Sequence, residues 1–340
     1  MSKITDLATA LRKLLESGFY PVGARFPSEY ELMERYNVAR LTANKAVALL
    51  TAEGLLERGK RGSGTFVRCC KKFPQGWIAA FMDVSSPYNA AMIAGAANTA
   101  MLNNYMLSIF NPRMPEITDA LKKLEQSDCI GVLTGGYGIL PSTLSKPVIY
   151  MDVEIDDRED GPHHNVTCDN YGAAHEMMSR VLAAGFRKVV TVTLPNHQHR
   201  RKRLQGFKDA MQEHGIDNIE ERCFVFREKD NPYEMRQIMR RIMQKFPDVE
   251  YILTDSDDIV LQIIRISKSE NIECPNRIKI TGFGNIYGIS GMHKLPTVDQ
   301  HPWHIGDAAV NALLQSVNGG YPDEVIKIEV PAEVINTEFI

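Results

Sequence analysis

Residues 59–67, GKRGSGTFV, place two cations and three glycines in one short stretch. Lys60 and Arg61 could neutralise phosphates, and the glycines would let the backbone turn with positive φ and approach a surface closely. The spacing does not fit the nucleotide-binding loop GxxxxGK[ST], and no predicted helix follows to supply its amides. Taken alone, the stretch also fits a solvated hairpin with incidental charge. The chemistry that these residues favour is contact with nucleic-acid phosphates.

The residue types that catalyse reactions form no recognised motif. Asp255, Asp257 and Asp258 could imitate a magnesium site, but neither EF-hand spacing nor a phosphate loop accompanies them. The adjacent His163 and His164 would not share one face of a strand. The six cysteines form no CxxC pair, so reduced thiols are expected. We therefore expect no cofactor and no metal. The alternative, an enzyme acting on a sugar or nucleotide with an N-terminal interaction module, lacks GxSxG, HExxH and a P-loop.

The charge of this 340-residue chain is unevenly distributed. Residues 1–72 carry 13 Lys and Arg against 7 Asp and Glu, a net +6, so residues 73–340 carry −9 of the total of −3. A basic part therefore precedes an acidic one, which favours a polyanionic partner for the first. Charges interrupt residues 1–22, and no stretch of about 18 apolar residues occurs. We expect a cytoplasmic protein without a membrane partner.

The elements that would present the glycine loop are predicted from helical spacing and capping residues. Apolar residues recur at helical spacing between Ile4 and Leu15, and Gly18 follows as a stop. Ser28 and Glu31 fit a capping box at the start of a second helix. The predicted elements are helices over about 4–15, 28–36 and 41–53 and strands over 55–58 and 65–67. Together they form a helix-turn-helix followed by a hairpin.

The segment FPSEYELMERYNVARLTANKAVALLTAEGLLERGKRGSGTFV, residues 26–67, resembles the winged helix-turn-helix of the GntR family. The shared pattern comprises a Pro-Ser-Glu start, an arginine in the recognition helix, an EG-L turn and a GTF-V wing end. The resemblance implies a double-stranded DNA operator as partner, recognition positions within residues 39–44, and a wing tip at residues 61–64.

Specific DNA contacts follow from this resemblance. Arg40 could offer two parallel donors to guanine, and Asn44 could pair with adenine. The remaining expected contacts, mainly to phosphates, are Arg25, Ser28, Thr42, Lys45, Lys60, Arg61 and Gly62. The sequence departs from the family at Ala39, where a hydroxyl residue is usual, and at Leu41, where a small polar residue is common. The base preference is therefore open.

After residue 76, short apolar stretches alternate with amphipathic ones, which predicts doubly wound parallel sheets. The predicted strands are 77–83, 106–110, 129–133, 147–151, 189–193, 224–226, 251–254 and 278–283. The predicted helices are 90–102, 116–125, 171–184, 204–214, 233–245 and 259–268. Ligands bind beyond the carboxyl ends of such strands, so the polar residues that follow them are candidates. TGGYG, residues 134–138, lacks the GxGxxG pattern of a dinucleotide site.

Motifs in this second part resemble the effector domain of the LacI family, a two-lobed sugar-binding fold similar to periplasmic binding proteins. They are DNYGAAHEMMSRVLAAGFRKVV (169–190), LQGFKDAMQEHGI (204–216), ITGFGN (280–285) and PTVDQHPWHIGDAAVNALL (296–314). A GntR-type head on a LacI-type body resembles the arabinose-repressor subgroup. This implies a monosaccharide effector, similar to arabinose or fucose.

The same resemblance implies ligand-binding residues. Arg203 corresponds to an arginine that donates to ligand oxygens, and Asp255 and Gln300 to polar ligand contacts. Tyr88 lies near an aromatic that covers the ligand. The further expected contacts are Asp152, Arg227 and Asn285. The family's GFDD is Gly-Phe-Gly-Asn at residues 282–285 here, so one sugar-binding carboxylate is missing.

The sequence thus predicts an α/β protein with three parts. These are a winged helix-turn-helix (α+β) over 1–68, a linker over 69–76, and an effector-binding and dimerisation domain over 77–340. The expected lobes of the last are 77–167 with 299–324, and 168–298 with 325–340. The expected function is a sugar-responsive transcriptional regulator, a repressor, that binds its operator as a homodimer. A transport binding protein is disfavoured by the basic head and the lack of an export signal.

Overall fold

The computed structural model describes residues 3–60, 63–68, 74–111, 117–135, 140, 144–153, 163–195, 198–227, 231–286, 294–319 and 325–340. The chain divides into two compact units. One is Met1–Trp77 with Met101–Met106, and the other is Ile78–Ala100 with Leu107–Ile340.

The first unit contains the expected helix-turn-helix. Its helices are α1 (Lys3–Glu16), α2 (Glu29–Tyr36) and α3 (Arg40–Ala52), and its strands are β1 (Arg25–Phe26), β2 (Leu56–Arg58) and β3 (Thr65–Val67). β3 pairs antiparallel with β2 on one side and with β1 on the other. The hairpin was predicted; β1 was not, because two residues are too few to show an alternating pattern.

Local signals place α2 and α3 as expected. The Ser28 hydroxyl accepts from the Glu31 amide at 3.3 Å, while the Ser28 amide donates to Glu31 Oε2 at 2.6 Å, which confirms the capping box. Asn37 ends α2 in the left-handed region, at φ 48°. The short turn to Ala39 packs α3 across α1 and α2, and their leucines fill a common core with Phe26 and Val67.

The second unit contains a larger mixed array of strands and helices. Its first sheet has the order β14-β8-β7-β6-β4-β5 among the described strands. These are β4 (Gly76–Phe81), β5 (Tyr105–Phe110), β6 (Cys129–Thr134), β7 (Val148–Met151), β8 (Asn165–Cys168) and β14 (Lys327–Val330), with helices α4 (Pro87–Leu102), α5 (Ile117–Glu125) and α11 (Pro302–Gly319). The pairs β6–β7, β7–β8 and β8–β14 are parallel, as the doubly wound prediction requires.

A second parallel sheet has the order β10-β9-β11-β12 among the described strands. Its strands are β9 (Val189–Thr193), β10 (Cys223–Val225), β11 (Tyr251–Thr254) and β12 (Lys279–Thr281). Its helices are α6 (Asn170–Ala183), α7 (Gln198–Glu213), α8 (Ile219–Arg222), α9 (Pro232–Lys245) and α10 (Asp257–Ser269). β13 (Thr297–Asp299) and β15 (Glu333–Ile335) form an antiparallel pair whose Val298 and Val334 join the core under α6.

Two differences from the sequence prediction matter for the site. α7 begins at Gln198 and not near residue 204, so the basic residues 200–203 lie in the first turns of a helix. β14 pairs with β8 in the first sheet, although residues 325–340 were assigned to the second lobe. β14 was missed although Lys327–Val330 alternates polar and apolar residues, because four residues are too short a stretch to stand out. The other predicted domain boundaries stay predictions.

Candidate functional site

A buried polar cluster lies where the strands of the second unit end. Arg203, on α7, is only 4% exposed. Its Nε donates to Asn170 Oδ1 at 2.8 Å, and its Nη1 donates to the Asp255 carbonyl at 2.8 Å. The guanidinium lies over the Phe283 ring, 3.8 Å from the centroid. Arg203 is thus fixed by residues that follow β8, β11 and β12.

Asn170 and Asp255 are positioned by helix starts. The Asp169 carboxylate caps α6 by accepting from the Gly172 amide at 2.6 Å, which places Asn170 in the first turn. Ser256 caps α10 immediately after Asp255. Both caps lie at the carboxyl ends of strands, which is the edge where parallel sheets present ligand-binding residues.

The Asp255 carboxylate is fully buried and already engaged. Its Oδ1 lies 3.2 Å from Arg200 Nη1, and its Oδ2 accepts from the Leu194 amide at 3.1 Å. Burial raises the pKa of Asp255, and the charges of Arg200 and Arg203 oppose that shift. Burial likewise lowers the pKa of Arg200, against the attraction of Asp255. The pair is therefore an internal ion pair, and its carboxylate oxygens face protein donors.

A second group of polar side chains surrounds Tyr88, on α4. Gln300 Nε2 donates to the Tyr88 hydroxyl and approaches Cys168 Sγ, both at 3.2 Å. Burial, followed by the nearby Asp152 carboxylate, holds the pKa of Tyr88 well above its ordinary value. The charge of Arg203 acts in the opposite direction. Tyr88 is thus a protonated donor within the electrostatic reach of Arg203.

Of the expected ligand contacts, the structure brings together Tyr88, Asp152 and Gln300 around one hydroxyl, and Arg203 and Asp255 around one guanidinium. The described hydrogen bonds of Arg227 and Asn285 involve other residues. Arg227 is exposed, and its amide donates to Glu234 at 3.1 Å. Asn285 donates to Asp299 Oδ2 at 2.9 Å. The ligand role of all seven remains a prediction.

Sequence reasoning missed several members of the cluster. Arg200 lies one helical turn before Arg203, so the true start of α7 would have placed both on one face. Asn170 had no signal beyond its position after a capping aspartate. Asp257 is buried as well, with Oδ1 accepting from the Thr297 hydroxyl and Oδ2 from the Ile286 amide, each at 2.8 Å. These bonds explain Asp257 as a structural carboxylate that ties α10 to β13 and to the backbone at Ile286.

In the first unit, α3 presents a cationic face. Arg40, Asn44 and Lys45 are exposed, Thr42 is half-buried, and the helix contains no acidic residue. The Arg40 guanidinium lies over the ring of the exposed Tyr30, 4.7 Å from the centroid. Ala39 occupies the N-cap position of α3, and its side chain provides no capping hydrogen bond in the described structure.

The hairpin supplies further cations. Arg25 and Lys60 are exposed, and the Gly59 amide donates to the Gly64 carbonyl at 2.9 Å to close the hairpin. Gly64 has φ +99°, the positive value expected for this loop. Ser28 already donates its hydroxyl hydrogen to Glu31 at 2.8 Å, so a phosphate would compete with the capping box. Arg61 and Gly62 lie outside the described residues.

Among the described residues, no group of three or more His, Cys, Asp or Glu side chains is arranged to hold a metal ion. None of the helices in the same ranges has the length and apolar character needed to cross a membrane.

Two family models match parts of the chain. Residues 3–67 match the model of bacterial regulatory proteins of the gntR family, and residues 179–336 match a periplasmic binding protein-like domain. The chain therefore combines a gntR-type DNA-binding domain with a periplasmic binding protein-like domain, as the sequence resemblance implied.

Several proteins similar to this chain are named as transcriptional regulators. An arabinose metabolism transcriptional repressor of Halalkalibacterium halodurans is 25% identical over 319 residues, covering 85% of this chain and 82% of the relative. A solved complex of the transcriptional regulator CelR with cellobiose has a TM-score of 0.65 at 15% identity, over 91% of this chain and 98% of that one. A LacI family regulator from Enterococcus faecium with bound ribose has a TM-score of 0.63 at 16% identity, over 76% and 96%. The two structures establish a shared fold.

Proposed function

We propose that this chain, which joins a gntR-type DNA-binding domain to a periplasmic binding protein-like domain, is a transcriptional repressor controlled by a monosaccharide. The observation that carries the proposal is the state of Arg203. Its described hydrogen bonds use Nε and Nη1, so its Nη2 donors are available although the residue is almost completely buried. A buried arginine with available donors is suited to bind ligand oxygens.

The surrounding groups support a sugar as the effector. Arg203 supplies donors. The Tyr88 hydroxyl, the Gln300 amide and the Asp152 carboxylate form a polar group whose internal hydrogen bonds would be exchanged for bonds to sugar hydroxyls. The H. halodurans relative is named for arabinose metabolism, and two solved structures of the same fold hold ribose and cellobiose. We infer an arabinose- or fucose-like monosaccharide.

The first unit would bind the operator through α3 and the hairpin. Arg40 is suited to donate to guanine O6 and N7, and Asn44 to pair with adenine. Arg25, Lys45 and Lys60 would contact phosphates and set the register on the duplex. A homodimer in the cytoplasm would place two heads on half-sites about 34–36 Å apart or a multiple of that spacing.

Control would arise from differential binding. A sugar that binds more tightly to the conformation with poor operator affinity shifts the population toward it, and the operator weakens sugar binding by the same factor. Coupling of this kind typically changes affinity by about 5- to 150-fold.

The proposal is tested with duplex DNA enriched from a random-sequence pool by the purified full-length chain. We expect affinity for that DNA to fall linearly with log salt, and one monosaccharide of a broad panel to weaken it by about 5- to 150-fold. Arg203→Lys should keep DNA affinity but lose the sugar effect, since lysine cannot reproduce the planar fork of donors.

A matched control is Arg201→Lys on the same helix. Among the described residues, Arg201 donates to Gln198 at 2.9 Å, on an exposed surface. This variant should respond to the sugar as the parent does. A salt-independent interaction with DNA, or equal sugar responses of the two lysine variants, would contradict the proposal.

A further inference from the structure

The exposed face of α3 contains one large apolar side chain in its first turn. Leu41 is 66% exposed, and the exposed residues next to it are Arg40, Asn44 and Lys45. Single exposed leucines are common on protein surfaces. This one is distinctive because it lies within a cationic helix face that carries no acidic residue. A molecule that binds this face is therefore both anionic and partly apolar.

A second observation concerns the neighbouring arginine. The Arg40 guanidinium lies 4.7 Å from the centre of the Tyr30 ring, and both residues are exposed. The contact restricts the orientations of a side chain that would otherwise move freely in solvent. Arg40 is therefore held in place beside Leu41 before any partner binds.

Helix geometry relates these side chains to a duplex. Leu41 and Asn44 are three residues apart and lie on the same face. Between Arg40 and Asn44 the helix rises about 6 Å, which is close to two base-pair steps. Side chains on this turn would contact consecutive base pairs.

We propose that Leu41 recognises the 5-methyl group of a thymine adjacent to the base pair that Arg40 contacts. Thymine is the base that presents an apolar group on its major-groove edge, while the other base-edge groups are hydrogen-bond donors and acceptors. A leucine at this position would cover that methyl group and exclude water from it, which strengthens DNA binding. The inference rests on the proposed DNA-binding function and adds a specificity-determining residue to it.

The test uses the full-length chain and the duplex enriched from a random pool. Each thymine is replaced in turn by deoxyuridine, which pairs in the same way but lacks the methyl group. Burial of one methyl group corresponds to about a three- to fivefold change in affinity. We expect that loss at one thymine per half-site. Leu41→Ala should bind the thymine and deoxyuridine duplexes equally.

Two further variants keep the outcome decisive. Leu49→Ala removes a second exposed leucine, 44% exposed and two turns along α3, and should retain the preference for thymine. Leu41→Met keeps an apolar side chain of similar size and should retain it as well. Thermal melts verify that all three variants are folded.

The outcomes separate this inference from the function on which it rests. If no sequence is enriched and binding is insensitive to salt, the DNA-binding function itself fails. If a sequence is enriched but deoxyuridine is tolerated everywhere, or the methyl preference persists in Leu41→Ala, the inference is overturned while the function stands.

Discussion

The substitution Gly206→Ala tests how the crossing of α6 and α7 positions Arg203. A Cβ added at residue 206 would lie 2.5 Å from the Tyr171 carbonyl and 2.9 Å from the His175 amide. Ordinary contact begins near 3.4 Å, so the helices would have to separate by about 0.9 Å. The neighbouring atoms are backbone, and no side-chain rotation relieves the clash.

Two effects of opposite sign set the change in the free energy of unfolding of Gly206→Ala. Adding a methyl group to a packed interface costs about 1–3 kcal/mol. Alanine favours the helix over glycine by about 1 kcal/mol. Because the contacts are with backbone, we expect the clash to win, with a net loss of about 1–2 kcal/mol in the free energy of unfolding. For a unit of this size, that lowers the melting temperature by about 2–8 °C.

The displacement should also reach the ligand site. α7 carries Arg203, whose Nε bonds to Asn170 in the first turn of α6 at 2.8 Å. Separation of the helices stretches this bond, so we expect weaker sugar binding and unchanged affinity for DNA without sugar.

The assay is calorimetric melting with and without sugar, because the sugar raises the transition of the unit that binds it. Gly319→Ala is the control, since an added Cβ there meets no atom within 4 Å. It should change the transition only by the small rise that the helix propensity of alanine gives at a helix end, and it should leave sugar affinity unchanged. A Gly206→Ala variant with the parent's melting temperature and sugar affinity would refute the reasoning.

Two further predictions concern the first unit. Ala39 has the extended backbone of an N-cap, φ −66° and ψ 147°, so Ala39→Ser should add a hydrogen bond to a first-turn amide and raise the free energy of unfolding in urea by about 1 kcal/mol. The control Ala48→Ser, at an exposed interior position of α3, should give no gain. An equal response of both variants would contradict the capping argument. The Ser28 amide donates to Glu31 and lowers the pKa of that carboxyl below its ordinary 4.5. Its contribution to stability is therefore complete above pH 4.5 and lost as the pH falls through the lower folded-state pKa. Glu31→Gln should remove this acid dependence of stability, measured by urea unfolding at several pH values. Parallel pH profiles of parent and variant would exclude Glu31 as its source.

The sequence predicted elements best where the signal is local. β9 and β11 have the predicted bounds, because buried parallel strands are continuous apolar runs. The capping box and the N-cap without a hydroxyl were also visible from neighbouring residues. α7 was placed six residues late because its first turns are polar and basic and show no apolar period. β13 and β15 were missed because each is three residues long and finds its partner far along the chain.

The amino-acid sequence by itself determined the order of the two domains, the cationic recognition helix and the residue types available to a ligand, because these follow from composition and from contacts a few residues apart. Only the tertiary structure decided how those residues are used. Asp255, chosen as a sugar contact, directs its carboxylate to Arg200 and Leu194, 55 and 61 residues away, while Arg203 keeps donors available. Burial makes an unpaired carboxylate costly, and its partners are set by the packing of α7 on the sheet and not by any local pattern.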